Sequence, residues 1–187
     1  MRLFTGRNGR YSASFEPAEA SLLSDLVGQV RTLLAQRRES APVDPLAELT
    51  GLTVGPSTAP EDPAVARLLP DFHRDDPDLS AGMRMLREPE VLAAKDDAAA
   101  VLISTLPLSG GPVHLDEATA RSWLVAINDV RLVFSVRLAI TGDDDPLDAA
   151  TADRNGPEYA MHLTYRWLST VLESLTDALL EAHDDDR

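Results

Sequence analysis

Cysteine is missing from the 187-residue chain. That excludes disulfides, thiolate nucleophiles, cysteine-based zinc sites and thiol redox sensing by the chain itself. Lysine is almost missing: of 17 cationic residues only Lys95 is a lysine, the mark of a GC-rich coding sequence. Aromatic residues make up only 5%. No apolar run reaches the ~18 residues of a membrane span, and MRLFTGRNGR lacks the apolar stretch of a signal peptide. The expectation is a cytoplasmic chain with no membrane partner. Also missing are GxGxxG, GxxxxGK[ST], HExxH and GxSxG, so the common phosphate, zinc and nucleophile motifs do not apply.

Positive charge is scarce as well. The net charge is -14, and nucleic-acid affinity comes largely from neutralising phosphates with Lys and Arg. Unaided DNA binding would need a segregated basic patch and is not expected. What is present suits a globular fold: 44% of residues are hydrophobic, and a chain of this length can bury roughly 70% of its unfolded surface.

The stretch 116–141, DEATARSWLVAINDVRLVFSVRLAIT, organises the rest. Asp116 is a good helix N-cap and Gly142 a natural stop. At the helical period one apolar face holds Trp123, Ile127, Val130, Phe134 and Leu138. A second holds Val125, Leu132, Val133, Val136 and Ile140, with a polar seam of Arg121, Asn128, Arg131 and Ser135 between them. A helix apolar on two sides predicts burial on two sides.

Around it the sequence predicts one mainly α domain of five or six helices. Residues 1–15 read as a β-hairpin turning near Gly6–Gly9, packed on the helices because an isolated hairpin is marginal. Its arginines Arg2, Arg7 and Arg10 suit a solvated turn. Residues 16–39 form an amphipathic helix with Leu22, Leu23, Leu26, Val27, Val30, Leu33 and Leu34 as its stripe. Residues 40–79 are a proline-rich wrap with two short helices, one capped by Asp44 and stopped by Gly51, one capped by Asp62 with Pro63 at its first position. The central helices span 80–141, with Ser80 as a cap, a break at Pro89, and 113–115 extended. An acidic loop (142–156) and a C-terminal helix (157–183) complete the chain.

Candidate chemistry is sparse. His73, His114, His162 and His183 are scattered, and His73-Arg74-Asp75 has none of the kinase motifs that would give that triplet meaning. Asp143, Asp144, Asp145 and Asp148 lack the spacing of a calcium loop. No metal, cofactor or catalytic residue is assigned. Lys95 sits on an apolar helix face, where it pairs with a buried carboxylate, lays its stem along the surface, or acts as a desolvated amine. With the Arg121–Ser135 seam and neighbouring Asp129 it makes a candidate polar network or groove. Leu163 and Trp167, off the main stripe of the last helix, make a candidate interaction surface.

GRYSASFEPAEASLLSDLVGQVRTLL, DPLAELTGL, GPSTAPEDPAVARLLPDFHRDD, LREPEVLAAK, WLVAINDVRLVFSVRLAI and YRWLSTVLESL stand in this order between Gly9 and Leu175. Together they resemble an actinobacterial family of unknown function, also described as the AosR-like oxidative-stress transcription regulators. The resemblance implies a cytoplasmic regulator acting in redox stress through a partner such as an alternative sigma factor. The resemblance also brings a described member that senses oxidation through a cysteine pair, which maps to no position here, so sensing is absent, belongs to a partner, or is confined to a branch of the family. The function expected is a non-enzymatic regulator or adaptor working by protein–protein contact, with a homo-oligomer compatible. The alternative is a small-molecule-binding or catalytic protein using a pocket along the Arg121–Ser135 seam.

Overall fold

The computed structural model describes residues 1–41, 54–140 and 156–184, the side chains of 183 and 184 excepted. The expected helix at 44–51, the acidic loop with its four aspartates, and the His183 side chain lie outside those residues. Asn8 and Gly9 both take positive φ, 51° and 68°, as a two-residue type I′ hairpin turn requires. They join β1 (Arg2–Arg7) to β2 (Arg10–Phe15). The hairpin is not the whole sheet. β3 (Gly111–Asp116) pairs antiparallel with β2, giving the order β1-β2-β3 and a register that sets Tyr11 against Leu115 and Ala13 against Val113.

One face of this sheet is apolar, and Phe4, Tyr11, Ala13, Phe15, Val113 and Leu115 are buried there. Its floor is Trp123 of α4 (Glu117–Arg137), whose ring lies 5.9 Å from Phe4 and 5.8 Å from Phe15. The sheet therefore stands on the helix that the sequence placed at the centre.

α4 begins where expected: the Asp116 carboxylate accepts from the Thr119 N–H at 2.8 Å. It stops earlier than expected, at Arg137. Ala139 takes φ 52°, and the Ala139 and Ile140 N–H groups donate to the Val136 and Ser135 carbonyls. This is a Schellman closure with alanine where glycine is favoured. Trp123, Ile127 and Val130 are fully buried, so the first apolar face is the core of the molecule. The second is different. Val125 is 42% exposed, while Leu132, Val133, Val136 and Ile140 are half-buried. The first face of α4 is thus enclosed through Val130, while the second is only partly covered along its length, with Leu132 and Val133 packed against the edge of the core.

Among the described residues four helices pack on α4. α1 (Pro17–Glu39) buries Leu23, Leu26, Val27, Val30 and Leu34, and leaves Leu22 exposed. α2 (Pro63–Leu68) is capped by Asp62, which accepts from Ala64 N–H at 2.7 Å. α5 (Pro157–Asp184) buries Leu168, Val171, Leu175 and Ala178.

The fourth, α3 (Pro77–Thr105), corrects the expected break. It runs unbroken through Pro89, and its cap is Asp76 rather than Ser80, which is buried inside the helix. A proline inside a helix deprives the carbonyl four residues back of its donor. Here that carbonyl, on Met85, accepts from the Gly55 N–H at 2.8 Å. The proline-rich segment thus supplies the hydrogen bond that Pro89 withholds. Gly55 also packs closely on Pro89, whose ring would lie 3.1 Å from a Cβ placed there.

Candidate functional site

Of the candidate polar residues, Lys95 and Asp129 meet, and Arg121, Arg131 and Ser135 turn to separate partners. Lys95 on α3 reaches Asp129 on α4 across the helix interface, Nζ to Oδ1 2.6 Å, with side chains 17% and 3% exposed. An ammonium held by a carboxylate has no free lone pair with which to attack a carbonyl. Arg121 turns along its own helix to Glu117, and both are exposed. Arg131 lies with its guanidinium 5.7 Å from the Tyr165 ring centre. The Ser135 hydroxyl donates to the Leu132 carbonyl, and Asn128 is half-buried. No groove described is lined by both Lys95 and Arg131. Arg121 borders a groove of about 310 Å³ with Gly9, Tyr11, Leu124 and Leu179.

Burial holds the Asp129 carboxyl above the ordinary carboxylate range, with the Lys95 hydrogen bond and charge pulling the other way. Asp96 is the opposite case. A two-pronged hydrogen bond from Arg31, 2.7 and 3.2 Å, holds it below that range against some desolvation. The linkage signs differ accordingly. Asp129 contributes stability that is fully present below the unfolded value and lost as pH rises through the folded one. Asp96 contributes stability present above the unfolded value and lost as pH falls through the folded one. Urea titrations across pH 3–7 are expected to show wild type losing ground to Asp129→Asn as pH rises. Against Asp96→Asn it gains ground instead. Equal slopes for the two variants would refute the assignment.

A buried ionic cluster on α3 is not singled out by the sequence. Arg84 and Glu88 of α3 are 1% and 0% exposed. The Glu88 carboxylate accepts from Arg84 Nη1 at 2.7 Å and from Arg37 Nε and Nη2 at 2.6 and 3.3 Å. Arg84 also donates to the Leu69 and Pro70 carbonyls and to Asp71, and lies 5.7 Å from the Phe72 ring. Arg37 reaches the Thr58 carbonyl. Two guanidiniums and one carboxylate thus tie α1 and α3 to the segments on either side of α2. The available signal was the four-residue spacing of Arg84 and Glu88, which on most helices marks a solvated pair.

Leu163 is 45% exposed. Trp167 packs partly against the core, and among the described residues neither its Nε1 nor Nδ1 of buried His162 has a hydrogen-bond partner. His73 Nδ1 accepts from the Asp76 N–H at 3.0 Å, so His73-Arg74-Asp75 forms the turn that starts α3. Among the described residues no group of three His, Asp or Glu could hold a metal ion, and no helix is long and apolar enough to cross a membrane.

The architecture has no match among solved structures. Relatives are found by sequence. The chain is 39% identical to the putative oxidative stress regulator AosR of Mycobacterium leprae, covering 96% of this chain and 87% of that one. It is 38% identical to the oxidative stress regulator AosR of Mycobacterium tuberculosis strain H37Rv, covering 96% and 86%. Residues 1–179 match the model of a domain of unknown function, DUF2017. Both findings agree with the resemblance carried by the sequence phrases, and the chain belongs to the DUF2017 family.

Proposed function

We propose that the chain is a stress-response regulator that works in the cytoplasm by binding another protein, without performing a reaction of its own. The observation that carries this reading is similarity along 96% of the chain to relatives named oxidative stress regulators. The missing cysteines shape it further: a thiol signal has to reach this chain through a partner. A net charge of -14 suits a basic protein partner, such as an alternative sigma factor, better than a phosphate backbone.

The test is transcriptional. Deleting the gene in a strain that carries it is expected to change the transcript response to peroxide, and the wild-type gene to restore it. The purified chain is expected to bind no operator DNA at physiological salt. An unchanged peroxide response would overturn the regulatory reading. A salt-sensitive nanomolar DNA complex formed by the chain alone would overturn the protein-contact part.

A further inference from the structure

α3 has a face the fold leaves unused. Its inner side is spent on Arg84, Glu88, Leu92 and Leu102, all buried. On the outer side Leu79, Met83 and Leu86 are 46%, 37% and 70% exposed. Spaced four and three residues apart, they make one continuous stripe over two turns. Single exposed leucines are ordinary on a protein surface; three large apolar side chains in register on one rigid helix are the anchor pattern of helix-to-helix docking. Gly82 lies beside the stripe, with nothing within 4 Å of where a Cβ would stand, so a second backbone can come close. The helix is also held from behind by the Arg84–Glu88 pair, so little ordering is required of this surface on binding.

Charge selects the occupant. The exposed acids Asp75 and Asp78 border the start of this stripe and make no ion pair among the described residues. Of the nearby cations, Arg87 is already bound to Glu90 at 3.1 Å, which leaves Arg74. A second copy of a chain with net charge -14 would bring one acidic rim against another. An anionic lipid surface would be repelled in the same way. We propose that the Leu79–Met83–Leu86 stripe is the docking face for a basic amphipathic helix of a partner protein. The inference rests on the protein-contact reading above and gives it a location and a partner chemistry.

The probe is an 18-residue helical peptide with leucines at positions 5, 9 and 12 and lysines flanking them, followed by fluorescence anisotropy. The control peptide keeps the leucines and replaces lysine with glutamate. The lysine peptide is expected to bind, and at least tenfold more weakly to a Met83→Ser/Leu86→Ser variant that keeps the wild-type circular dichroism. The glutamate peptide is expected to bind at least tenfold more weakly to wild type. Failure of the lysine peptide to bind, or equal binding to the variant, overturns the proposal. So does a wild-type dimer in sedimentation that the variant abolishes. The same variant, returned to the deletion strain, separates the two readings. Restoration of the peroxide response by the variant removes the docking face and leaves the regulator. Failure of the wild-type gene to change that response removes the regulator, and peptide binding still decides the face.

Discussion

Replacing Glu88 with alanine is expected to cost the fold about 4 kcal/mol, the middle of the range for breaking a buried ion pair from one side. The cost comes less from the lost attraction than from what remains. Arg84 is 1% exposed and the Arg37 side chain 9%, and a guanidinium cannot shed its proton to escape a dry site. Asp71, the other carboxylate at Arg84, is 62% exposed and shares its hydrogen bonds with water. Two cations would be left facing each other around a vacated carboxylate. The control is the triple variant Arg37→Met/Arg84→Leu/Glu88→Leu. It removes all three charges and is expected to regain most of the loss, because well-packed apolar groups can replace a buried ionic cluster at little cost. Urea unfolding measures both. A Glu88→Ala variant within 1 kcal/mol of wild type would show that the network carries no strong electrostatic strain when broken. Hydrogen exchange at the Gly55 N–H gives a second readout, since the segment 54–62 is held by the Gly55–Met85 and Arg37–Thr58 bonds. Its protection is expected to fall before that of β2.

The elements written locally were legible. Asn8-Gly9 encodes its own turn, Asp62-Pro63 and Asp116 their own helix starts, and the stripe of α1 its own buried face. The misreadings come from contacts distant in sequence. Residues 113–115 were recognisable as extended, yet nothing local says that their partner is β2, about a hundred residues earlier. Pro89 carries a true local signal for a break, overruled by a hydrogen bond from Gly55 thirty-four residues away. Val125 and Ile140 fit a second buried face because periodicity reports which residues share a side, and not how far the neighbouring helices extend. The candidate site shows the same division. For Lys95 the sequence leaves open a buried carboxylate partner, a stem laid along the surface or a desolvated amine, and it marks Asp129 only as a neighbour of the seam; their meeting at 2.6 Å depends on how α3 crosses α4. Glu88 carries no local mark of its burial, because its second cation, Arg37, stands on another helix.

Trp123→Ala is the other large loss expected, about 4 kcal/mol by the usual cost of truncating a buried aromatic to alanine. Trp123 is 0% exposed and touches three parts of the molecule at once. Phe4 meets its ring edge-on, with planes at 80°, and Phe15 meets it at 44°. Its Nε1 donates to the Thr105 hydroxyl at 2.8 Å, tying α4 to the end of α3. Alanine would open a cavity beneath the sheet, and a three-stranded sheet this small depends on the helices under it. Trp123→Phe retains most of the apolar contact but not the hydrogen bond, and is expected to cost about 1–2 kcal/mol. The two variants should therefore separate packing from polar tethering. In the alanine variant the amides of β1 and β2 are expected to lose hydrogen-exchange protection ahead of α5, which packs on α4 as well as on β1. Uniform loss across the sheet and α5 would mean that the sheet is not a separate unit resting on one indole. A cost below 1 kcal/mol would mean that the indole is not its floor.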